Sequence, residues 1–329
     1  MLRVLQNRRE GLFCPAGGFF VDPCGHVSRA VITHAHSDHA RKGHGSYLCS
    51  DNCKPLLKIR LGPKAKIESL PFGKRIKMGD ALVSLHPAGH ILGSSQVKIE
   101  VSGQIWVVSG DYKPQPDLTC EPFEMIKCHG FVTESTFGLP VYRWLPEDTI
   151  YAQINDWWVG NAENGIPSLL FAYSLGKAQR VLAGVDPEIG PIFIHHAVSP
   201  FLPIYERSGV DLPKVEKVDL DSEQNYSKGL IVVPPAVQDS SWLKRFTYAE
   251  RAFASGWMAI RGLRRRRNLG KGFVLSDHAD WNGLLQVILG TGAETVKITH
   301  GNGHALSRYL FGRGIDASLL NQPVSAEVQ

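Results

Sequence analysis

Four side chains able to bind a metal fall within six residues of the segment Thr33-His34-Ala35-His36-Ser37-Asp38-His39. Neutral imidazole nitrogens and carboxylate oxygens suit zinc, and they admit manganese or iron where oxygen ligands contribute more. The preceding Ala30-Val31-Ile32 is short, apolar and largely β-branched, so it predicts a buried strand that delivers the motif to a loop at its C-terminal end. In an extended backbone His34 and His36 project to the same side. Asp38 and His39 then fall on the following turn, where they can face a second ion beside the first. The plain alternative, a histidine-rich surface loop that binds nothing, is disfavoured by the regular spacing and the strand before it.

Two coordination shells need more donors than four side chains provide, and three later strand ends supply them. Pro87-Ala88-Gly89-His90-Ile91-Leu92-Gly93-Ser94 places His90 in a glycine-rich turn. Val107-Val108-Ser109-Gly110-Asp111 puts a carboxylate after the next strand, whose two oxygens can bridge ions about 3.5 to 4 Å apart. Val296-Lys297-Ile298-Thr299-His300 ends a third strand in a histidine. Taken singly, each reads as an ordinary hydrogen-bonded loop residue. Taken together they complete a two-metal site.

The elements that must position these residues are legible as apolar runs. Residues 1 to about 135 alternate short strand-like segments, such as 81–85 and 104–108, with glycine and proline. From Pro146 the texture changes: Ile150, Ile154, Trp157 and Trp158 recur at helical spacing, and a strand at 168–173 runs through a glycine turn into a helix. Further strands are expected at 191–194, 229–233, 272–275 and 295–298. Strands interleaved with helices predict an α/β protein. With 329 residues, 43% hydrophobic and 20% charged, the chain can bury a large core. The first ten residues lack the apolar core of a signal peptide and no later run reaches membrane-spanning length, so a cytoplasmic protein without a membrane is expected. The six cysteines include no C-x-x-C pair and predict no disulfide, although Cys49 and Cys53 could share a helix face. The last nine residues read as a loose polar tail.

Two segments could contact an anion. Ser174, Gly176 and Lys177 open a helix whose unpaired N–H groups and positive dipole end suit a phosphate, or form a plain cap. Five arginines in seven residues at 261–267, Arg264, Arg265 and Arg266 among them, could grip phosphates beside Trp257, or be solvated surface. His195 and His196 follow a strand and read as packed histidines or cleft residues. The formal charge of +5 is only a weak pull towards polyanions.

The ligand loop, later histidine, aspartate and final histidine, in that order, resemble the metallo-β-lactamase superfamily. Thr133-Glu134-Ser135-Thr136-Phe137-Gly138, Gly176-Lys177-Ala178-Gln179-Arg180 and Ser276-Asp277-His278-Ala279-Asp280-Trp281 look like markers of its β-CASP nuclease branch. With Phe13-Cys14-Pro15-Ala16-Gly17-Gly18 and Ala254-Ser255-Gly256-Trp257-Met258, the whole is most similar to bacterial ligase-associated DNA exonucleases, relatives of eukaryotic DNA-repair nucleases.

The resemblance implies a metallo-β-lactamase αββα sandwich from residues 1–145 and 270–329, with a β-CASP cap at 146–269. It implies two divalent ions, zinc preferred and manganese allowed. One would be held by His34, His36, His90 and Asp111, the other by Asp38, His39, Asp111 and His300. Asp22 would orient the ligand loop without binding metal. A hydroxide bridging the ions would attack phosphorus, and His278, oriented by Glu134, would protonate the leaving 3′ oxygen. The implied activity is a DNA exonuclease acting in repair on single strands or ends, with an ATP-dependent DNA ligase and a helicase as associates. The alternative is a ribonuclease trimming RNA ends, because RNA-cleaving relatives carry a histidine at the position of His300, where eukaryotic DNA-specific ones carry an aliphatic residue.

Overall fold

The structure is a computed structural model describing residues 4–221, 224–260, 270–301 and 303–320. In chain order its elements are β1 (Gln6–Arg8), β2 (Gly11–Cys14), β3 (Phe19–Val21), β4 (Arg29–Val31), β5 (Ser46–Ser50), α1 (Cys53–Leu61), β6 (Ile67–Leu70), β7 (Ile76–Met78), β8 (Ala81–Pro87), β9 (Ser95–Val101), β10 (Gln104–Val108) and β11 (Gly130–Thr133). Then come α2 (Glu147–Glu163), β12 (Ser168–Phe171), α3 (Lys177–Gly184), β13 (Ile192–Ile194), α4 (Leu202–Arg207), β14 (Glu216–Lys217), β15 (Leu230–Val233), β16 (Glu250–Ala254), β17 (Lys271–Phe273), α5 (Trp281–Thr291), β18 (Thr295–Ile298), α6 (Gly303–Phe311) and β19 (Asp316–Leu319). The protein is α/β, as the interleaved pattern predicts. Among the described residues no helix is long and apolar enough to cross a membrane, and all six cysteines are free thiols.

The chain divides into two compact units, one running up to Arg143 and resuming at His278, the other Trp144–Asp277. In the first unit, one sheet has the order β1-β2-β3-β4-β5-β6 and a second the order β19-β18-β11-β10-β9-β8-β7. Strand alternation gives the second sheet two apolar faces. Val108 and Val132 join Val31, Leu48, Val83 and Val97 in a core between the sheets. Their neighbours Val107 and Phe131 point the other way, against Leu284 and Val287 of α5 and Leu306 and Leu310 of α6. The outer side of the first sheet is covered by α1, which packs on β5 and β6 and buries Leu56 and Leu57.

The second unit holds a parallel sheet of order β14-β13-β15-β12-β16-β17. Leu170 of β12 packs with Ile154, Trp158 and Val181 of α2 and α3, while Leu169 and Phe171 pack with Phe193, Phe246 and Phe253 on the opposite face. Both faces are therefore dry, which explains why these strands read as unbroken apolar runs with no alternation.

Candidate metal and hydrolytic site

The ligand loop leaves the first sheet at the end of β4 and is tied down from β3. Asp22, just past β3, accepts hydrogen bonds from the Thr33 backbone N–H (2.8 Å), the Thr33 hydroxyl (2.6 Å) and His39 Nδ1–H (2.8 Å). A carboxylate only accepts, so His39 carries its proton on Nδ1 and turns Nε2 to the site as a lone-pair donor. The same logic extends one bond further. The Thr33 hydroxyl donates its hydrogen bond to Asp22, so its oxygen accepts from His34 Nδ1–H (3.1 Å), which leaves His34 Nε2 as the outward lone-pair donor. Asp22 and His300 are two of the three non-glycine residues with positive φ among the described residues, at 42° and 53°. Both strained positions adjoin the site, where such strain commonly concentrates.

His34 Nε2 and His90 Nε2 each lie 3.1 Å from His36 Nδ1. Asp111 Oδ2 lies 3.5 Å from His34 Nε2 and 3.8 Å from His90 Nε2. Donors placed about 2.0 Å from one tetrahedral zinc would stand about 3.3 Å apart, so the spacing is that of a coordination shell. His39, Asp111 and His300 form a second group sharing the same aspartate. His39 Nε2 stands 3.3 Å from Asp111 Oδ2 and 3.7 Å from Asp38 Oδ2, the Asp38 carboxylate being the most exposed of the set. Asp111 Oδ1 is buried and makes no hydrogen bond among the described residues. A buried aspartate with one oxygen facing three imidazole nitrogens and the other without a hydrogen bond among the described residues is what a cation would satisfy, and the donor set fits two divalent ions.

The electrostatics agree. Burial pushes His34 well below the ordinary imidazole value, and His39 and His90 beside it add to the effect. Burial would lower His39 too, but Asp111, Asp38 and Asp22 outweigh it and hold that ring well above its usual value. For Asp111 burial acts upwards, and the adjoining His39 more than reverses it. The carboxylates thus gather positive charge at this point, a role a divalent ion would take from the proton.

Glu134, at the end of β11, and His278 meet beside Asp111. His278 Nδ1 lies 3.0 and 2.9 Å from the two Glu134 oxygens, and Glu134 Oε1 also accepts the Tyr112 N–H at 2.8 Å. The carboxylate is buried while the imidazole is partly open to solvent. Phe137 contacts the His278 ring edge-to-face and His90 tilts against it, so the imidazole is held on three sides.

Not every expected contact is available. Lys177 does open α3, but its ammonium is buried and donates to Asp277 Oδ1 (2.7 Å) and to the Leu275 carbonyl (2.9 Å). Burial lowers it to about 8. The Gly176 N–H is already taken by Gln179 Oε1, whose amide returns to the Ser174 carbonyl. The Lys177 ammonium, the Gly176 N–H and the Ser174 carbonyl are therefore engaged within the second unit. His195 is buried against His196 and Trp242, a packed histidine. Arg264, Arg265 and Arg266 lie outside the described residues. Sequence reasoning passed over Thr33, whose only signal is its place immediately before His34, and Arg60, which has no motif.

No family model matches the chain. It is 30% identical over 323 residues to a probable DNA ligase of Opitutus terrae, covering 97% of this chain and 31% of that protein. It is 25% identical over 190 residues to endoribonuclease ysh-1 of Neurospora crassa, covering 56% of this chain and 21% of that protein. The chain thus spans about a third or less of the length of these relatives. Among solved structures, a protein of unknown function from Enterococcus faecalis V583 superposes with a TM-score of 0.58 at 12% identity, covering 84% of this chain and 76% of that one, a likeness of fold alone. The two sequence relatives support the β-CASP metallo-β-lactamase resemblance.

Proposed function

We propose that the chain is a metal-dependent nuclease that hydrolyses phosphodiester bonds at DNA ends, with residues 1–145 and 270–329 as its metallo-β-lactamase domain and 146–269 as a β-CASP cap. The observation that carries this reading is the pair of donor groups sharing Asp111, with the Glu134–His278 pair alongside. His34, His36, His90 and Asp111 would hold one divalent ion and Asp38, His39, Asp111 and His300 the other, zinc being the preferred species for this imidazole-rich set. When bound, such ions supply water activation at neutral pH and neutralise charge on the phosphoryl oxygens.

The chain's own residues do the rest. Asp22 and Thr33 fix the tautomers that keep His39 Nε2 and His34 Nε2 as donors. Glu134 orients the His278 ring and stabilises its protonated form, and His278 delivers a proton to the departing 3′ oxygen. A carboxylate at Nδ1 leaves Nε2 as the nitrogen that exchanges this proton.

DNA is the favoured substrate because the relative aligned over nearly the whole chain is named a probable DNA ligase, which also suggests a ligase acting on the same ends. RNA is the second reading, favoured by His300 and by the relative named an endoribonuclease. End-labelled DNA and RNA single strands of one sequence separate them: faster loss of the DNA label supports the proposal, and RNA-only cleavage replaces it. Asp111→Asn should abolish either activity and lower the metal content measured by elemental analysis. Normal turnover by that variant would remove Asp111 from the centre.

A further inference from the structure

One cation reaches the ligand loop without belonging to the metal site or to any expected contact. Arg60 lies in the last turn of α1, half-buried, and its Nε donates to the Ala35 carbonyl at 3.0 Å, the peptide between His34 and His36. The guanidinium is near enough to Asp38 to feel its charge, yet no ion pair joins them. Among the described residues its Nη1 and Nη2 have no hydrogen-bond partner. A guanidinium held by one nitrogen, with its other two free of hydrogen bonds among the described residues, has lost much of the freedom it would otherwise lose on binding.

The surroundings favour an anion. Lys54, Lys58, Arg60, Lys64 and Lys66 fall within thirteen residues, and the sequence from Asn52 to Ile67 contains no acidic residue. The lysines at 58, 64 and 66 are exposed. Such a stretch, bounded by Asp51 and Glu68, gives the segment carrying Arg60 a net positive charge that favours a polyanion. Planar, bidentate donation to phosphate oxygens is what a guanidinium does better than an ammonium.

We propose that Arg60 is a substrate-binding residue that grips a backbone phosphate adjoining the scissile one, so that the loop carrying His34, His36 and Asp38 is braced and the substrate registered by one side chain. The inference rests on the nuclease reading above. The chemistry recognised is a phosphodiester, common to DNA and RNA, and it sets the register of the strand irrespective of the base.

The experiment uses the full-length holoenzyme and compares wild type with Arg60→Gln and Arg60→Lys. It measures kcat and KM on DNA and RNA single strands of one sequence at several salt concentrations, and metal content by elemental analysis. Arg60→Gln is expected to keep its metal, raise KM about tenfold with kcat within twofold, and reduce the dependence of log(kcat/KM) on log[salt] by about 0.7, one phosphate contact on a single strand. Arg60→Lys keeps the charge, so its salt dependence should match wild type while KM stays between the other two. An effect confined to DNA or to RNA would identify which polymer the contact serves. Loss of metal, a fall in kcat at constant KM, or an unaltered salt dependence in Arg60→Gln would overturn the proposal and reduce Arg60 to a brace for the loop. Should Arg60→Gln fail to fold, Arg60→Lys decides: wild-type KM in that variant overturns bidentate gripping. If wild-type holoenzyme cleaves neither polymer, the nuclease reading itself fails, an outcome separate from failure of Arg60.

Discussion

Individual side chains in the site differ sharply in what their loss should do. His278 touches Glu134 but belongs to neither of the donor groups centred on His34 and His39, so His278→Ala should leave metal content unchanged while slowing cleavage by about 10²- to 10⁴-fold. Metal loss in that variant would show that the ring supports the ligands instead. Asp22→Asn makes the opposite prediction. It would keep the shape but place a donor or a weaker acceptor against Thr33 and His39, and metal affinity should fall about 10- to 100-fold by titration against a chelator. The candidate ligands at 34–39, 90, 111 and 300 are legible because histidine and aspartate at strand ends are chemically conspicuous. The role of Thr33 is not, because a hydroxyl that passes a hydrogen bond from an imidazole to a carboxylate has no sequence signature.

At the scale of elements, glycine placement explains why the loops can converge. Gly110 has φ +58°, and a Cβ there would come within 2.6 Å of Thr33, so the strand end bearing Asp111 can approach the ligand loop only without a side chain. The start of α3 carries a different lesson. Its Gly-Lys pair is readable as an anion site or a cap, and burial of Lys177 against Asp277 gives its ammonium a structural partner. Lys177→Met should therefore remove a buried ion pair from Asp277 and destabilise the protein by up to roughly 3–5 kcal/mol in denaturant unfolding. A fully stable variant with weakened substrate binding would restore the anion reading. His195 offers a pH signature within the same unit. Burial and the adjacent His196 depress its folded value from 6.5 to about 4, so the unfolded chain takes up the proton first as pH falls. Its contribution to stability is present above about 6.5 and is lost towards pH 4. Unfolding curves of His195→Asn should show a shallower acid limb than wild type.

For the molecule as a whole, the donor groups in the first unit would couple a bound metal to the fold, because several imidazoles are buried with Asp111, one of whose oxygens has no hydrogen bond among the described residues. Removing metal by chelation should abolish cleavage and lower Tm, and zinc or manganese restored at about a thousand times its Kd should return about 4 kcal/mol of stability. An unchanged Tm would separate the site from the stability of that unit. The sequence by itself determined the α/β class, strands β4, β8, β10, β12, β13, β15, β17 and β18 with helices α2 and α3, and the inventory of candidate metal-binding side chains, because apolar periodicity and ligand chemistry are local properties. Only the tertiary structure decided which of those groups meet. Asp111 and His39 are 72 positions apart in the chain and 3.3 Å apart in space, Glu134 finds His278 across 144 positions, and Lys177 is turned inward by a carboxylate a hundred residues away. Burial and pairing depend on which surfaces pack together, a sum over distant contacts that no window of sequence contains.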